Sequence, residues 1–280
     1  MPEPPGAERF ELQTADEVGA TISTVVLRAP ATSESAGTII LCHGFGLSKE
    51  WLYNERWMCE RLGWNLVMFD FREHGDSSRH LGHPTLGHHE KWDVRAVVDH
   101  AERTGLPRPF VVIGASMGAS VGLLAAAEDP RIDAVLAFSP YCNGLRGATQ
   151  FLRSALGWLG DHVLKRFGQF HDMLRSVDLP AALAQRNDLP ITLVVGERDC
   201  FPIVDARAIL AGSASPESMK QLFVIPQGRH NQLWEWIGDA ETPSYMTILR
   251  SFLDRHARRA SERPPIAMGG LGNDQTKSIA

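Results

Sequence analysis

Residues 111–120 read V-V-I-G-A-S-M-G-A-S, and this stretch decides the fold. An apolar run ends at Gly114, and a helical pattern of apolar residues begins after Gly118. Together they predict a strand, a sharp turn and a helix, with Ser116 at the tip of the turn. The two glycines allow the strand and the helix to cross closely, because they carry no side chain. In this setting the pattern G-x-S-x-G is typical of a nucleophile elbow, and a Gly/Ser-rich loop without a role is the alternative.

The composition is that of a soluble globular protein with a sizeable core. The chain has 280 residues, of which 44% are hydrophobic and 22% charged, and its formal net charge is -5. This charge argues against nucleic acid as the main partner, because phosphate binding needs a basic face. No apolar stretch approaches the roughly 20 residues of a membrane span, and no signal peptide is visible. We therefore expect a cytoplasmic monomer or homodimer that acts on a small molecule.

Strands and helices alternate along most of the chain. Residues 10–12 and 20–27 predict an antiparallel hairpin at one edge of a sheet. Six further strands are expected, at residues 38–42, 65–71, 110–113, 132–138, 191–195 and 221–225. Helices are predicted between them, including one capped by Ser48 and a last one that begins at Thr242 and Pro243. The alternation predicts a mostly parallel eight-stranded sheet with helices on both faces.

The alternation stops between residues 140 and 189, where the spacing of apolar residues is helical. We interpret this segment as a helical cap inserted into a core domain formed by residues 9–139 and 190–257, with two ordinary packing helices as the alternative. Residues 258–280 are polar and Gly/Pro-rich and are expected to be a disordered tail. The cap residues Phe151 and Trp158, with Tyr141 at the entrance, would supply apolar walls to a substrate pocket. Trp234 either lines the same pocket or packs beneath the final helix.

Two polar groups after late strands are the candidates to activate Ser116. A serine hydroxyl becomes a good nucleophile only when a base removes its proton, and a third group must orient that base. Asp199 follows one strand and His230 follows the next, at the carboxyl edge where open α/β sheets place their sites. Glu197, two residues before Asp199, is an alternative acid, and Asp199 is favoured over it.

The order Ser116, Asp199, His230, together with the elbow and H-G-F-G at residues 43–46, resembles the α/β-hydrolase superfamily over residues 10–257. The resemblance implies that Ser116 is the nucleophile, His230 the general base and acid, and Asp199 the acid that orients it. It also implies an oxyanion hole formed by the backbone N–H groups of Phe45 and Met117.

Two sequence segments refine this resemblance. The segment F-D-F-R-E-H-G at residues 69–75 resembles a structural segment of the superfamily, although a glycine is common where Glu73 stands. The H-G-F-G segment differs from the H-G-G-G of the hormone-sensitive lipase branch, which disfavours that branch.

Neither the cysteines nor the histidines predict a metal site. The four cysteines are widely separated and are expected to be reduced, buried thiols: Cys42, Cys59, Cys142 and Cys200. Four histidines lie within ten residues but do not present one shared face, so solvated loop positions are favoured over a zinc site: His80, His83, His88 and His89.

The sequence thus predicts two-step acyl transfer without a cofactor or a metal. Apolar residues in the cap favour hydrolysis of a carboxylic ester with a small hydrophobic or aromatic group. A thioesterase, a peptidase and a C–C bond hydrolase share the same triad and are the enzymatic alternatives. A non-catalytic binding protein on this fold is a further alternative.

Overall fold

A single mixed sheet forms the centre of the molecule in the computed structural model, which describes residues 2–30, 35–156, 168–230, 233–239 and 241–260. The described residues form eight strands: β1 (Glu8–Gln13), β2 (Thr21–Leu27), β3 (Gly37–Cys42), β4 (Trp64–Phe69), β5 (Phe110–Ala115), β6 (Ile132–Phe138), β7 (Ile191–Gly196) and β8 (Lys220–Ile225). Their order in the sheet is β1-β2-β4-β3-β5-β6-β7-β8. The first two strands are antiparallel and the other neighbours from β4 to β8 are parallel. The predicted edge hairpin and parallel sheet are confirmed.

The described helices are α1 (Trp57–Leu62), α2 (Glu90–Arg103), α3 (Met117–Glu128), α4 (Gly144–Leu156), α5 (Gly168–Ser176), α6 (Leu179–Leu183), α7 (Ile203–Gly212) and α8 (Tyr245–Ala260). A 3₁₀ segment, Lys49–Arg56, precedes α1. No helix in the described part of the chain combines the length and the apolarity that crossing a bilayer requires.

Two hydrophobic clusters cover the two faces of the sheet. Successive residues of the central strands alternate between them, because side chains of a strand point to opposite faces. Ile40 and Val112 belong to the cluster that includes α2 and α3, whereas Leu41 and Ile113 belong to the cluster that includes α1 and α8. The core therefore has helices on both sides, as the alternation of elements predicted.

Two predicted helix starts are wrong. Ser48 does not cap an α-helix, because its hydroxyl donates to the Glu50 carboxylate and a 3₁₀ segment follows. The last helix begins at Tyr245, where the Ser244 hydroxyl accepts the N–H of Thr247 at 3.2 Å. Thr242 belongs to the preceding turn, since its N–H donates to the Asp239 carboxylate at 2.7 Å.

The segment between β6 and β7 contains helices and no named strand among its described residues. An isolated bridge between Asn143 and Asp178 closes its base. Trp158 lies outside the described residues, and so do residues 261–280 of the predicted tail. The described part of α8 extends to Ala260, beyond the predicted start of that tail.

Candidate active site

Ser116 occupies the strained turn between β5 and α3. Its backbone has φ 54° and ψ −115°, a conformation that non-glycine residues rarely adopt. A Cβ at Gly114 would collide with the Gly118 carbonyl, and one at Gly118 would collide with the Cys42 carbonyl. The Ser116 N–H donates to the Phe138 carbonyl at 2.8 Å, which ties the turn to β6. The glycines are therefore required by close backbone approach, as the sequence predicted.

Ser116, His230 and Asp199 form one hydrogen-bonded chain. The Ser116 hydroxyl lies 2.9 Å from His230 Nε2, and His230 Nδ1 donates to Asp199 Oδ1 at 2.8 Å. The three residues follow β5, β8 and β7, whose carboxyl ends meet at one edge of the sheet. Asp199 has no exposed side-chain surface and His230 retains 20%. The arrangement is that of a nucleophile, a base and an orienting acid.

The Asp199 carboxylate is held from two further sides. Its Oδ1 accepts the N–H of Phe201 at 2.9 Å, and its Oδ2 accepts the hydroxyl of Ser139. Ser139 is buried at the end of β6 with φ 53°, and its own N–H donates to Val194 at 2.8 Å. The role of Ser139 was not found from the sequence. The only signal there was a serine directly after a buried strand.

The charges of the triad shift the pKa of its members in opposite directions. Burial alone would lower the pKa of His230, but the hydrogen bonds to Asp199 and to Cys200 raise it to about 9. Burial alone would raise the pKa of Asp199, but the hydrogen bonds from His230 and Ser139 hold it below its ordinary value. The acid is therefore ionised when the base takes up a proton.

Phe45 and Met117 flank Ser116. Met117 is the first residue of α3, where backbone N–H groups have no partner within the helix. Phe45 follows Gly44, whose ideal Cβ position lies 3.6 Å from the Ala115 carbonyl and 3.7 Å from Ser116 Cβ. Both residues border the cavity into which Ser116 opens.

His43 fixes the loop that carries Phe45. Its Nδ1 donates to the Gly44 carbonyl at 2.8 Å, and its Nε2 accepts the N–H of Phe71 at 3.0 Å. Burial lowers the pKa of His43 to about 3, so the ring is neutral and can donate and accept at once. The H-G-F-G segment thus needs its histidine for loop geometry.

The F-D-F-R-E-H-G segment is structural, in agreement with the sequence analysis. The Asp70 carboxylate accepts the N–H and the ammonium of Lys49, each at 2.6 Å. Glu73 has φ 65°, a backbone conformation that suits the glycine common at this position. Its carboxylate accepts the backbone N–H groups of residues 80–82 at 2.7, 2.8 and 2.9 Å. Glu73 therefore anchors a loop that a glycine would leave unanchored.

An apolar cavity of about 170 Å³ opens at Ser116. Its lining residues are Phe45, His83, Pro84, Leu86, Ser116, Met117, Tyr141, Gly147, Ala148 and Phe201. The Tyr141 hydroxyl donates to the Leu86 carbonyl at 2.8 Å, so Tyr141 contributes its ring as a wall and holds a second wall in place. We predicted Tyr141 for this pocket, but not Leu86 or Phe201, which come from loops whose apolar residues had no pattern in the sequence. Of the other predicted residues, Trp158 lies outside the described residues, and for Phe151 and Trp234 the structure describes the backbone alone.

The residues considered as an alternative acid or as zinc ligands make other contacts. Glu197 is exposed and accepts the N–H and the side-chain amide of Gln227 at 2.9 and 2.8 Å. His88 Nδ1 contacts the Ser176 hydroxyl at 2.6 Å, and His89 Nδ1 lies 3.2 Å from Asp16.

The four cysteines are free thiols. Three are buried as predicted, whereas Cys200 is half-buried beside the triad, because the chain after Asp199 turns toward His230.

Comparisons with known proteins agree on the fold. The profile described as serine aminopeptidase, S33, matches residues 33–169. An esterase of Pyrococcus furiosus, Pf2001, is 21% identical, covers 91% of this chain and 92% of its own, and has a TM-score of 0.62. The α/β-hydrolase GrgF from Penicillium sp. sh18 is 20% identical over 90% of this chain and 99% of its own, with a TM-score of 0.68. A proline iminopeptidase of Mycobacterium smegmatis is 14% identical over 90% of this chain and 100% of its own, with a TM-score of 0.62.

The chain has the α/β-hydrolase fold. Among curated proteins, YqkD of Bacillus subtilis (strain 168), described as uncharacterized, is 25% identical over 80% of this chain and 73% of its own. The structural neighbours include an esterase, a hydrolase and a peptidase, so the shared fold alone selects neither an activity nor a substrate class.

Proposed function

We propose that this protein is a serine hydrolase that cleaves carboxylic esters with a small apolar acyl group. The observation that supports this most strongly is the Ser116–His230–Asp199 chain of hydrogen bonds, at 2.9 and 2.8 Å, opening into an apolar cavity. Phe45 and Met117 would supply the two backbone N–H groups that bind the oxyanion.

The proposed reaction has two steps. In the first, Ser116 Oγ attacks the ester carbon while His230 Nε2 takes the hydroxyl proton, and the carbonyl electrons move to the oxygen held by the two amides. The tetrahedral intermediate collapses, the C–O bond to the alcohol breaks, and His230 returns the proton to the leaving oxygen. In the second step, water attacks the acyl carbon as His230 takes its proton, and the bond to Ser116 Oγ breaks with return of the proton to Ser116.

The cavity walls favour a neutral acyl group over the free amino terminus of a peptide. A substrate ammonium taken out of water needs a carboxylate partner. Among the described residues that line this cavity none is acidic. An ester with an apolar acid therefore fits the described walls better than an aminopeptidase substrate does.

We also propose that residues 140–189 act as a cap on a core of residues 9–139 and 190–257. Gly147 and Ala148 of α4 line the cavity, and α4 packs on α5. Arg146 of the same helix forms an ion pair with the buried Asp205 of α7, which links the segment to the core.

Covalent labelling tests the proposed catalytic residues. A fluorophosphonate probe is expected to modify Ser116 in the folded protein, and Ser116→Ala and His230→Ala are expected to abolish labelling, because the serine then is absent or is no longer activated. Absence of labelling in the folded wild-type protein would overturn the proposal.

Substrate series test the proposed bond type. We expect p-nitrophenyl esters of short apolar acids to give a higher kcat/KM than acyl-CoA thioesters or aminoacyl amides measured under the same conditions. A higher kcat/KM for either of the latter would replace ester hydrolysis with thioester or peptide hydrolysis.

A further inference from the structure

The cavity at Ser116 has an inner part of buried residues and a more exposed mouth. The residues of the inner part are Leu86, Met117, Tyr141, Ala148 and Phe201. At the mouth, Phe45 and Pro84 are half-buried and His83 is exposed. A group bound in the inner part therefore contacts apolar side chains, whereas a group at the mouth remains in contact with water.

The order of the proposed steps determines which part of the ester fits the inner part. The alcohol leaves in the first step, whereas the acyl group stays on Ser116 Oγ until water attacks it. An alcohol held in the inner part would have to leave past an acyl group that is still attached to Ser116. The inner part therefore suits the acyl group, and the mouth suits the alcohol.

The volume of the cavity, about 170 Å³, is close to the space that one benzene ring requires. An apolar cavity of about 150 Å³ in another protein stays dry and binds a single benzene molecule. An acyl group with one ring can therefore fill this cavity, and an acyl group with two fused rings exceeds it.

Contacts of Tyr141 hold the cavity at this size. Its hydroxyl donates to the Leu86 carbonyl at 2.8 Å, and its N–H donates to the Ser120 hydroxyl at 2.9 Å. A Cβ at Gly147 would lie 3.0 Å from the Tyr141 ring, so the ring already touches the backbone of α4. Ala148, the next residue of α4, adds only a methyl group to the cavity wall. A larger side chain at Ala148 would therefore take up space that the ring of a substrate needs.

Aromatic rings form part of the wall. The ring centroid of Phe201 lies 5.5 Å from that of Tyr141, with the ring planes at 68°, and 5.0 Å from that of His230, at 81°. Aromatic rings prefer such edge-to-face contacts, because the edge of a ring is positive and its face negative. A substrate ring can extend this arrangement, whereas a saturated ring gains only the burial of apolar surface.

We propose that the acyl group of the substrate is a single aromatic ring on a short linker, as in a phenylacetyl group, and that Ala148 sets the upper limit on its size. This inference rests on the proposed ester hydrolysis at Ser116. The ring lies in the inner part of the cavity against Tyr141 and Phe201, the linker places the carbonyl carbon at Ser116, and the alcohol faces the mouth.

The test compares p-nitrophenyl esters that differ only in the acyl group: acetate, phenylacetate, cyclohexylacetate and 1-naphthylacetate. We expect wild-type kcat/KM to be about fivefold higher for the phenylacetate than for the cyclohexylacetate, because an aromatic pair contributes more than its buried area alone. For the naphthylacetate we expect kcat/KM roughly tenfold below that of the phenylacetate, because the second ring overpacks the cavity.

Two variants test the residues that the proposal names, and a third is the control. Ala148→Leu is expected to lower kcat/KM for the phenylacetate roughly tenfold more than for the acetate, because the added carbon atoms occupy the place of the ring. Phe201→Leu keeps the backbone N–H that Asp199 accepts, and it is expected to reduce the preference for phenylacetate over cyclohexylacetate to about 1. Ala184→Leu, at an exposed position directly after α6, is expected to leave these ratios as in the wild-type protein.

The outcomes separate this inference from the proposed function. A cyclohexylacetate or naphthylacetate that reacts as well as the phenylacetate in the wild-type protein would overturn the inference, as would an equal loss for phenylacetate and acetate in Ala148→Leu. If fluorophosphonate labels Ser116 and the acetate is hydrolysed in that case, the proposed hydrolase function stands while the inference on the acyl group fails. Absence of both labelling and hydrolysis would remove both proposals.

Discussion

At the scale of single residues, Ser139 extends the hydrogen-bonded chain beyond the three residues that the sequence identified. Its hydroxyl donates to the oxygen of Asp199 that His230 does not use. With one carboxylate oxygen held by Ser139 and the other by the N–H of Phe201, Asp199 has a fixed orientation. We therefore expect Ser139 to be a positioning residue, which would act on the proposed reaction through Asp199.

The first prediction separates the hydroxyl of Ser139 from its backbone. Ser139→Ala and Ser139→Gly both remove the hydroxyl and are expected to lower kcat about tenfold with little change in KM, since a positioned triad contributes mainly in the transition state. Because Ser139 has φ 53°, the glycine variant is expected to be more stable than the alanine variant by about 1 kcal/mol. Steady-state kinetics and urea unfolding measure the two effects. Unchanged kcat in both variants would contradict the positioning role.

The second prediction concerns the pH dependence of His230. Its pKa is raised above the ordinary 6.5, with Asp199 and Cys200 as the groups that raise it. Since the base acts in its neutral form, kcat/KM is expected to increase with pH and to reach half its maximum above pH 6.5. Cys200→Ala is expected to move this midpoint to lower pH.

The matched control is Cys59→Ala, because Cys59 is buried on α1, where its thiol donates to the Arg28 carbonyl at 3.2 Å. It is expected to leave the pH profile unchanged. An identical midpoint in the wild-type protein and Cys200→Ala would show that the thiol does not influence His230.

At the scale of elements, the loop between β4 and α2 is held by carboxylates at both of its ends. Glu73 accepts the N–H groups of residues 80–82. Glu90 is buried and accepts the N–H groups of Thr85 and Gly87, at 2.6 and 2.7 Å. Between these anchors lie three walls of the cavity at Ser116: His83, Pro84 and Leu86. A loop without regular structure thereby becomes a defined surface.

The third prediction tests this anchoring with Glu73→Gly. Glycine tolerates the φ of 65° at this position, so the substitution removes the carboxylate without adding backbone strain. We expect KM for an apolar ester to increase roughly three- to tenfold with little change in kcat, because the wall is lost while the triad is untouched. Hydrogen exchange at residues 80–82 is expected to accelerate. Unchanged exchange at these amides would refute the anchoring role.

The elements show what the sequence determines and what it does not. The elbow, the strands and the triad were predictable because each depends on local pattern: glycines around Ser116, buried apolar runs, and polar residues directly after strands. The helix starts at Ser48 and Thr242 were wrong because the Ser48 hydroxyl donates to Glu50 and the Thr242 N–H donates to Asp239, and neither residue caps an α-helix. Leu86 and Phe201 were missed because the walls of a pocket are assembled from loops distant in sequence.

At the scale of the whole molecule, the sheet places two histidines near one edge, and their pKa values are shifted in opposite directions. His43 is neutral and buried, and its pKa of about 3 lies below the ordinary 6.5. His230 pairs with Asp199, and its pKa of about 9 lies above 6.5. A group with a lowered pKa in the folded protein costs stability as pH falls, and one with a raised pKa costs stability as pH rises. His43 therefore lowers stability at acidic pH, and His230 lowers it at alkaline pH.

The last prediction follows from these signs. Between pH 6.5 and pH 3, His43 binds a proton in the unfolded protein but not in the folded protein. The stability associated with neutral His43 is therefore fully present above pH 6.5 and is lost as pH falls. The stability associated with protonated His230 is fully present below pH 6.5 and is lost as pH rises toward 9. Each pKa unit corresponds to about 1.4 kcal/mol, so the free energy of unfolding changes by at most about 5 kcal/mol for His43 and about 3 kcal/mol for His230 over their windows. Urea unfolding as a function of pH measures this for the wild-type protein, His43→Gln and His230→Gln. We expect the His43 variant to lose less stability than wild type on the acid side alone, and the His230 variant to lose less on the alkaline side alone. Parallel curves for all three proteins would show that neither histidine has a perturbed pKa in the folded state.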